Sequence, residues 1–388
     1  MKIDRKNYKH WLYLLRSAVI IFLTLPVRAV QKENSVILYG HKLNGNLLAL
    51  YDFMLAKNGD LEVFFLTMDP AYYKQLKQAD VNVLHMGSVS DMAAVAKAGA
   101  IITDHGMHTL ILYQYLTSIK FIDVWHGLSY KGFDAQTFRH LHGHDEVWVQ
   151  SETMRHFYIH KFGFSNKQIK VTGYGRSDRL ILGEFDRNAI LEKYELADRK
   201  TILLAPTWAQ DHKNRSVLPF GVSMEAFFDA LEDVGNRNNA TVIFRTHLNT
   251  GDSIKVDKYN HIRVMPSLLY PVAEEFLFVS DLLVTDWSSM ATDYLVLKRP
   301  TIFLDVAAPF SKGYTLGPEH RFGEIVDSME KLIMNIEKYI EKPDVFLKKY
   351  EKQMSHTIHV AYGSTFDGRA RDRYLLNLKK MIPGYRIL

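Results

Sequence analysis

The sequence predicts an α/β chain built from two doubly wound, mostly parallel sheets, and three observations predict it. From residue 35 to about residue 304, short apolar runs of strand length alternate with stretches of helical spacing. The pattern restarts near Asp186, and 388 residues are enough for two domains of ordinary size. Polar residues Thr207, Arg245, His247, Ser288 and Ser289 each follow a predicted strand closely. Ligands of such sheets collect at the carboxyl ends of strands, so two domains facing each other across a cleft is the expected arrangement.

Composition narrows the class. With 47% hydrophobic and 23% charged residues the chain is globular, and no repeat or low-complexity tract interrupts it. It has no cysteine, which excludes disulfides, thiolate metal sites and a cysteine nucleophile. Residues 1–32 hold seven Lys and Arg against Asp4 alone, a balance of +6, so the total of +5 leaves −1 for the other 356. A chain that is near neutral beyond its first 32 residues does not read as a nucleic-acid binder.

The basic arm flanks the apolar run 11–25, which as a helix spans about 22 Å against a hydrocarbon core of roughly 30 Å. Arg16 interrupts the run and no A-x-A site follows, which argues against a signal peptide. A spanning helix is disfavoured by length and charge. A helix buried on the protein itself is one alternative, and an interfacial helix meeting anionic lipid through its Lys and Arg is the preferred reading.

In the first half, 35–39, 62–67, 82–85, 100–103, 121–124 and 146–149 read as strands, with helices near 46–57, 89–98 and 107–117. Gly40 to Gly45 lacks the Lys-Ser/Thr of a P-loop, and Gly173-Tyr174-Gly175 lacks the third glycine of a dinucleotide fingerprint; both fit strand-to-helix turns. Trp125 and His126 leave the strand at 121–124 and reach Gly127, where an imidazole can act as a general base or bind phosphate. His140, His142 and His144 crowd one loop at a spacing that matches no metal motif, and an exposed polar loop is expected there.

In the second half, strands are expected at 201–205, 241–244, 262–265, 282–285 and 301–304. Residues 290–298 read as a helix stopped by Arg299-Pro300, with Ser288 and Ser289 at its start and Asp293 about one turn on. Two hydroxyls at a helix N-terminus suit an anionic, hydroxylated ligand such as a nucleotide diphosphate. The expected divisions are 1–32 for the membrane-binding segment, 33–185 and 186–354 for two Rossmann-like domains, and 355–388 for a helix packing back on the first.

Six motifs then stand in order: WHG at 125–127, VTGYGRSD at 171–178, APTW at 205–208, RTH at 245–247, TDWSSMATD at 285–293 and DGRARDR at 367–373. Together they resemble the CDP-glycerol glycerophosphotransferases of teichoic acid and capsule synthesis, over about residues 36–380. The chain departs from that pattern where Gly175 stands for a usual Pro, where Leu248 follows the histidine, and where Leu128-Ser129 follow WHG in place of Thr-Pro.

The resemblance implies a GT-B-like pair of Rossmann-type domains and transfer of glycerol phosphate from CDP-glycerol to a hydroxyl of a polyprenyl-diphosphate-linked acceptor. CMP would be released at the cytoplasmic face of the membrane. It implies catalytic roles for His126, as base, and His247, on the diphosphate or the leaving group. Donor contacts are implied for Val124, Trp125, Gly127, Leu128, Arg176, Pro206, Thr207, Arg245, Thr246, Ser288, Ser289 and Asp293. With no aspartate cluster in sight, neither a metal nor another cofactor is expected. The length leads to the further expectation of a priming enzyme rather than a polymerase. The rival readings are a CDP-ribitol enzyme, a polymerase, a GT-B glycosyltransferase using a nucleotide sugar, and a non-enzymatic membrane scaffold.

Overall fold

The computed structural model of the protein describes residues 4, 6–29, 34–57, 61–127, 130–207, 219–245 and 258–382. The chain divides into two compact units, one of residues 1–126, 135–178 and 367–388, the other of residues 127–134 and 179–366.

The first unit holds seven parallel strands: β1 (Ser35–Tyr39), β2 (Glu62–Thr67), β3 (Val83–His85), β4 (Ala100–Thr103), β5 (Lys120–Asp123), β6 (Glu146–Val149) and β7 (Ile169–Val171), in the order β3-β2-β1-β4-β5-β6-β7. Helices cover both faces, so β1 (SVILY) is buried along its whole length and reads as a continuous apolar run. Side chains alternate across the strand. Val36 and Leu38 enter one core with Leu47, Leu50, Tyr374 and Leu378, while Ile37 and Tyr39 enter the other with Ile20, Ile21, Met92 and Tyr113. The closing helix Ala370–Met381 belongs to the first of these cores, and its Tyr374 stacks on Trp148 with ring centroids 4.6 Å apart.

The second unit repeats the plan with β8 (Lys200–Ala205), β9 (Ala240–Phe244), β10 (Ile262–Val264), β11 (Leu282–Thr285), β12 (Thr301–Leu304) and β13 (Glu324–Val326), ordered β10-β9-β8-β11-β12-β13 and parallel throughout. In both sheets the strand order reverses beside the first strand, between β1 and β4 and between β8 and β11. Those are the topological switch points, where doubly wound folds bind ligands.

Eleven of the thirteen strands coincide with the expected runs to within a residue or so. The two unforeseen ones, β7 and β13, are three-residue edge strands, and in β13 Ile325 stays 43% exposed. Helix Pro70–Gln78 was also unforeseen, although Asp69 caps it by accepting from the Ala71 and Tyr72 amides and Pro70 stands at its first position.

The amino-terminal run forms a longer helix than expected, Tyr8–Thr24, continued by a 3₁₀ turn at Leu25–Ala29. The stretch Tyr8–Val27 is long and apolar enough to cross a membrane by length and composition, which corrects the expectation of a run too short to span. One edge of it is pinned to the first unit, however. Ser17, Ile20, Ile21 and Thr24 are buried, Ser17 Oγ meets Thr109 Oγ1 at 2.9 Å, and Thr24 Oγ1 meets Tyr113 Oη at 2.6 Å. Arg16, an anomaly in an apolar run, donates to the Gly87 carbonyl at 2.6 Å. The opposite edge leaves Trp11, Leu12, Leu15, Val19, Phe22 and Leu23 exposed. The self-packed reading describes one edge of this helix, and the other edge is exposed and apolar.

Candidate functional site

In the second unit the switch point is closed by one carboxylate. Asp286, the residue after β11, is 1% exposed; its Oδ1 accepts from the amide of Thr207, the second residue after β8, at 2.7 Å and from the Trp287 amide at 2.6 Å. The Thr207 hydroxyl also donates to that oxygen. Asp286 therefore fixes the turn that presents Ser288 and Ser289. Among the described residues, Ser288 Oγ accepts only a long 3.3 Å bond from the Met290 amide, and the Ser289 side chain makes no cap hydrogen bond. Both serines are half-buried, and Asp293 is buried on the same turn of helix. That helix runs only from Met290 to Leu295, shorter than expected. Its dipole is correspondingly small.

Arg245 follows β9. It is 5% exposed, lies over the Phe276 ring at 5.0 Å, and keeps a buried Nη1 with no hydrogen-bond partner among the described residues. Burial lowers its pKa to about 10, opposed by the nearby Glu274, so the guanidinium stays charged at neutral pH. A buried cation with an unsatisfied donor is costly unless something anionic reaches it. The Arg321 side chain is only 9% exposed: it lies 4.5 Å over the Trp287 ring and 3.9 Å from Asp305, and among the described residues its Nε and Nη1 have no hydrogen-bond partner. Sequence reasoning missed Arg321 because no strand or motif adjoins it.

In the first unit, Trp125 adopts φ +45°, a left-handed conformation that a bulky residue enters only under strain, and its amide donates to Asp123 Oδ1 at 2.9 Å. Burial raises the Asp123 pKa to about 7. The strained turn is held from outside by Asn46, whose Nδ2 donates to the Val124 and Trp125 carbonyls at 3.3 and 3.0 Å and whose Oδ1 accepts from the Arg176 amide at 3.3 Å. Arg176, 8% exposed, sends Nη1 to the His126 carbonyl at 2.5 Å. Thus Trp125, His126 and Arg176 are gathered around Asn46, while the Val124 side chain lies in the core. Gly40–Gly45 and Gly173–Gly175 do lead into helices, Gly45–Ala56 and Gly175–Ile181.

His126 has an exposed edge, and its Nδ1 lies 2.9 Å from the Asp104 carbonyl. A carbonyl only accepts, so Nδ1 carries the proton and Nε2 keeps its lone pair. Protein crowded around the ring, together with the charge of His105, lowers its pKa below the ordinary imidazole value. A neutral ring with a free Nε2 is the form a general base requires.

Other expected residues behave differently. Gly127 and Thr207 belong to the second unit, Gly127 at φ +148°, and Pro206 is half-buried after β8. Leu128, Thr246 and His247 lie outside the described residues. The loop at 140–144 is not simply exposed. His144 is 2% exposed, and His142 Nε2 lies 2.9 Å from the Phe162 carbonyl, so these rings brace the fold. Among the described residues, no group of three or more His, Asp or Glu side chains is set to hold a metal ion.

A model of the family described as CDP-Glycerol:Poly(glycerophosphate) glycerophosphotransferase matches residues 21–378. The chain belongs to this family. Among relatives of this chain, the teichoic acid ribitol-phosphate polymerase TarL of Staphylococcus aureus (strain NCTC 8325 / PS 47) is 26% identical, with 92% of this chain and 64% of that protein covered. The teichoic acid glycerol-phosphate transferase of the same organism is 25% identical, with 80% and 86% covered. The chain thus spans a little under two thirds of the first relative's length and most of the second's. Among solved structures, the H444N variant of the wall teichoic acid polymerase TagF superposes with a TM-score of 0.73 at 17% identity, covering 97% of this chain and 98% of that one. That likeness is one of fold, the GT-B-like α/β architecture.

Proposed function

We propose that this transferase moves glycerol phosphate from CDP-glycerol to a hydroxyl of a polyprenyl-diphosphate-linked acceptor, releasing CMP, while held on the cytoplasmic face of the membrane by its amino-terminal helix. The observation that carries the reading is a family match over residues 21–378 that contains every strand of both switch points. The chemistry of the residues supports it. The acceptor hydroxyl gives its proton to His126 Nε2 as its oxygen bonds to the glycerol-bearing phosphorus, and the bond to the CMP phosphate breaks. Phosphoryl transfer demands stabilisation of spreading negative charge more than covalent help. Arg176, Arg245, Ser288 and Ser289 are the donors assigned to that task, with His247 on the diphosphate or the leaving group. Addition of one glycerol phosphate unit to the acceptor, as a priming step, is the form of the reaction proposed.

A CDP-ribitol donor is the second reading, favoured by the 26% identity to a ribitol-phosphate polymerase. Thermal stabilisation by CDP-glycerol, CDP-ribitol and UDP-sugars, side by side, separates the donors. Turnover with a lipid-linked disaccharide then decides the bond broken: stoichiometric CMP supports glycerophosphate transfer. A nucleoside diphosphate released from a UDP-sugar, with CDP-glycerol inert, overturns it.

A further inference from the structure

Two imidazoles outside the motifs stand beside His126, and the topology puts them there. β1 and β4 are neighbours at the switch point of the first sheet, so His41, just after β1, and Asp104-His105, just after β4, come together. The His105 ring lies flat on the His126 ring, with centroids 4.3 Å apart and planes within 9°, and His41 is a second neighbour of His105 at 4.3 Å and 37°. Asp104 holds both members of the stack. Its Oδ1 accepts from His105 Nδ1 at 2.7 Å, and its carbonyl accepts from His126 Nδ1 at 2.9 Å. Gly40 makes the room, since a Cβ there would stand 2.5 Å from Asp104 Oδ1.

We propose that His105 is a positioning residue for the transfer: clamped by Asp104, its ring backs the face of His126 and fixes the plane in which His126 offers Nε2 to the acceptor hydroxyl. The proposal rests on the reading of His126 as the base. In the step itself His105 exchanges no proton. The acceptor proton goes to His126 Nε2, the oxygen pair forms the new O–P bond, and the pair of the broken P–O bond leaves on CMP.

The charges agree with this division of labour. Burial works against a charge on His105, but the charge and hydrogen bond of Asp104, with Asp123 behind, outweigh it and raise its pKa. The groups facing the stack are His41 and His108, both lowered by burial, Tyr39 and Asp123, both raised by burial, and Arg176, which holds the His126 carbonyl. Tyr39 Oη is taken by His108 Nδ1 at 2.7 Å, so neither competes for His126. Desolvation by the surrounding protein first, and then the positive charge that Asp104 favours on His105, hold the His126 pKa below the ordinary imidazole value.

The test compares wild type, His105→Ala and His105→Phe by nitrogen-detected NMR of the His126 ring without substrate, and by CMP release from CDP-glycerol. In His105→Phe the ring contact persists and the charge is gone, so His126 should titrate about one pKa unit higher, with its proton still on Nδ1. His105→Ala should lower kcat about 10–100-fold and change KM for CDP-glycerol less than about threefold, whereas His105→Phe should recover most of kcat above the shifted acid limb. An unchanged His126 titration in His105→Phe overturns the proposal, as does a His105→Ala kcat within twofold of wild type. If His105→Ala does not fold, His105→Phe decides alone. A wild type inert toward CDP-glycerol would sink the functional reading, while the NMR comparison would still decide whether His105 governs His126.

Discussion

Removing the carboxylate that closes the second switch point should loosen it measurably. In Asp286→Ala the Thr207 amide, the Thr207 hydroxyl and the Trp287 amide lose a shared acceptor that is 1% exposed. Each hydrogen bond to a charged group contributes about 1.5–3 kcal/mol. The three converge on one oxygen and the hydroxyl can turn elsewhere, so the losses do not add fully, and a destabilisation of about 3–5 kcal/mol is expected. At roughly 2–4 °C per kcal/mol for a unit of this size, the melting temperature falls by about 10 °C. Asp286→Asn keeps an acceptor without the charge and should lose only about 1–3 kcal/mol. Calorimetry is the appropriate assay because two units need not melt together, and the thermal shift given by CDP-glycerol should shrink in parallel as the serine turn loses its register. An Asp286→Ala protein melting within about 3 °C of wild type would refute the view that this carboxylate organises the site.

Ser288→Ala with Ser289→Ala should leave the melting temperature within about 2 °C of wild type, since neither hydroxyl makes a strong cap bond. CDP-glycerol binding by calorimetry should weaken at least about tenfold; a large melting shift with unchanged affinity would make the serines caps only. Leu15→Glu with Phe22→Glu alters the exposed edge of the amino-terminal helix, so the protein should fold yet sediment poorly with anionic vesicles, and undiminished sedimentation would refute the membrane role. Deleting residues 1–32 is a poorer test, because it strips buried Ile20 and Ile21 from the core. On acidification, His108 and His144, lowered by burial to about 4 and about 3, stay neutral while their unfolded counterparts protonate near 6.5, so stability should fall below pH 6.5. Asp123, raised by burial to about 7, acts in the opposite sense, its contribution present at low pH and lost as pH rises through 7. His144→Phe should flatten the acid fall in melting temperature between pH 6.5 and 4.5, and an unaltered slope would refute the assignment.

The sequence by itself determined the α/β class, the two-unit plan and most strands, because a strand buried on both faces must be a continuous apolar run and such runs are local. It also placed His126, Arg245, Ser288 and Ser289 just past predicted strands, which is again a local property, while Arg176 was marked by its motif alone. The three-residue edge strands β7 and β13 left no such run in the sequence, although the equally short edge strands β3 and β10 did. Only the tertiary structure decided the pairings: Thr207 with Asp286, Asn46 with the Trp125 turn, and His105 with His126 are separated by 79, 79 and 21 residues. The first of these joins arises where β8 and β11, distant in sequence, become neighbours at the reversal of strand order, the second where the helix after β1 meets the turn after β5, and the third where the consecutive strands β4 and β5 lie side by side. The amino-terminal helix shows the same division. Its apolar character was legible, but which edge packs on protein and which faces outward depended on Thr109 and Tyr113, about ninety residues away.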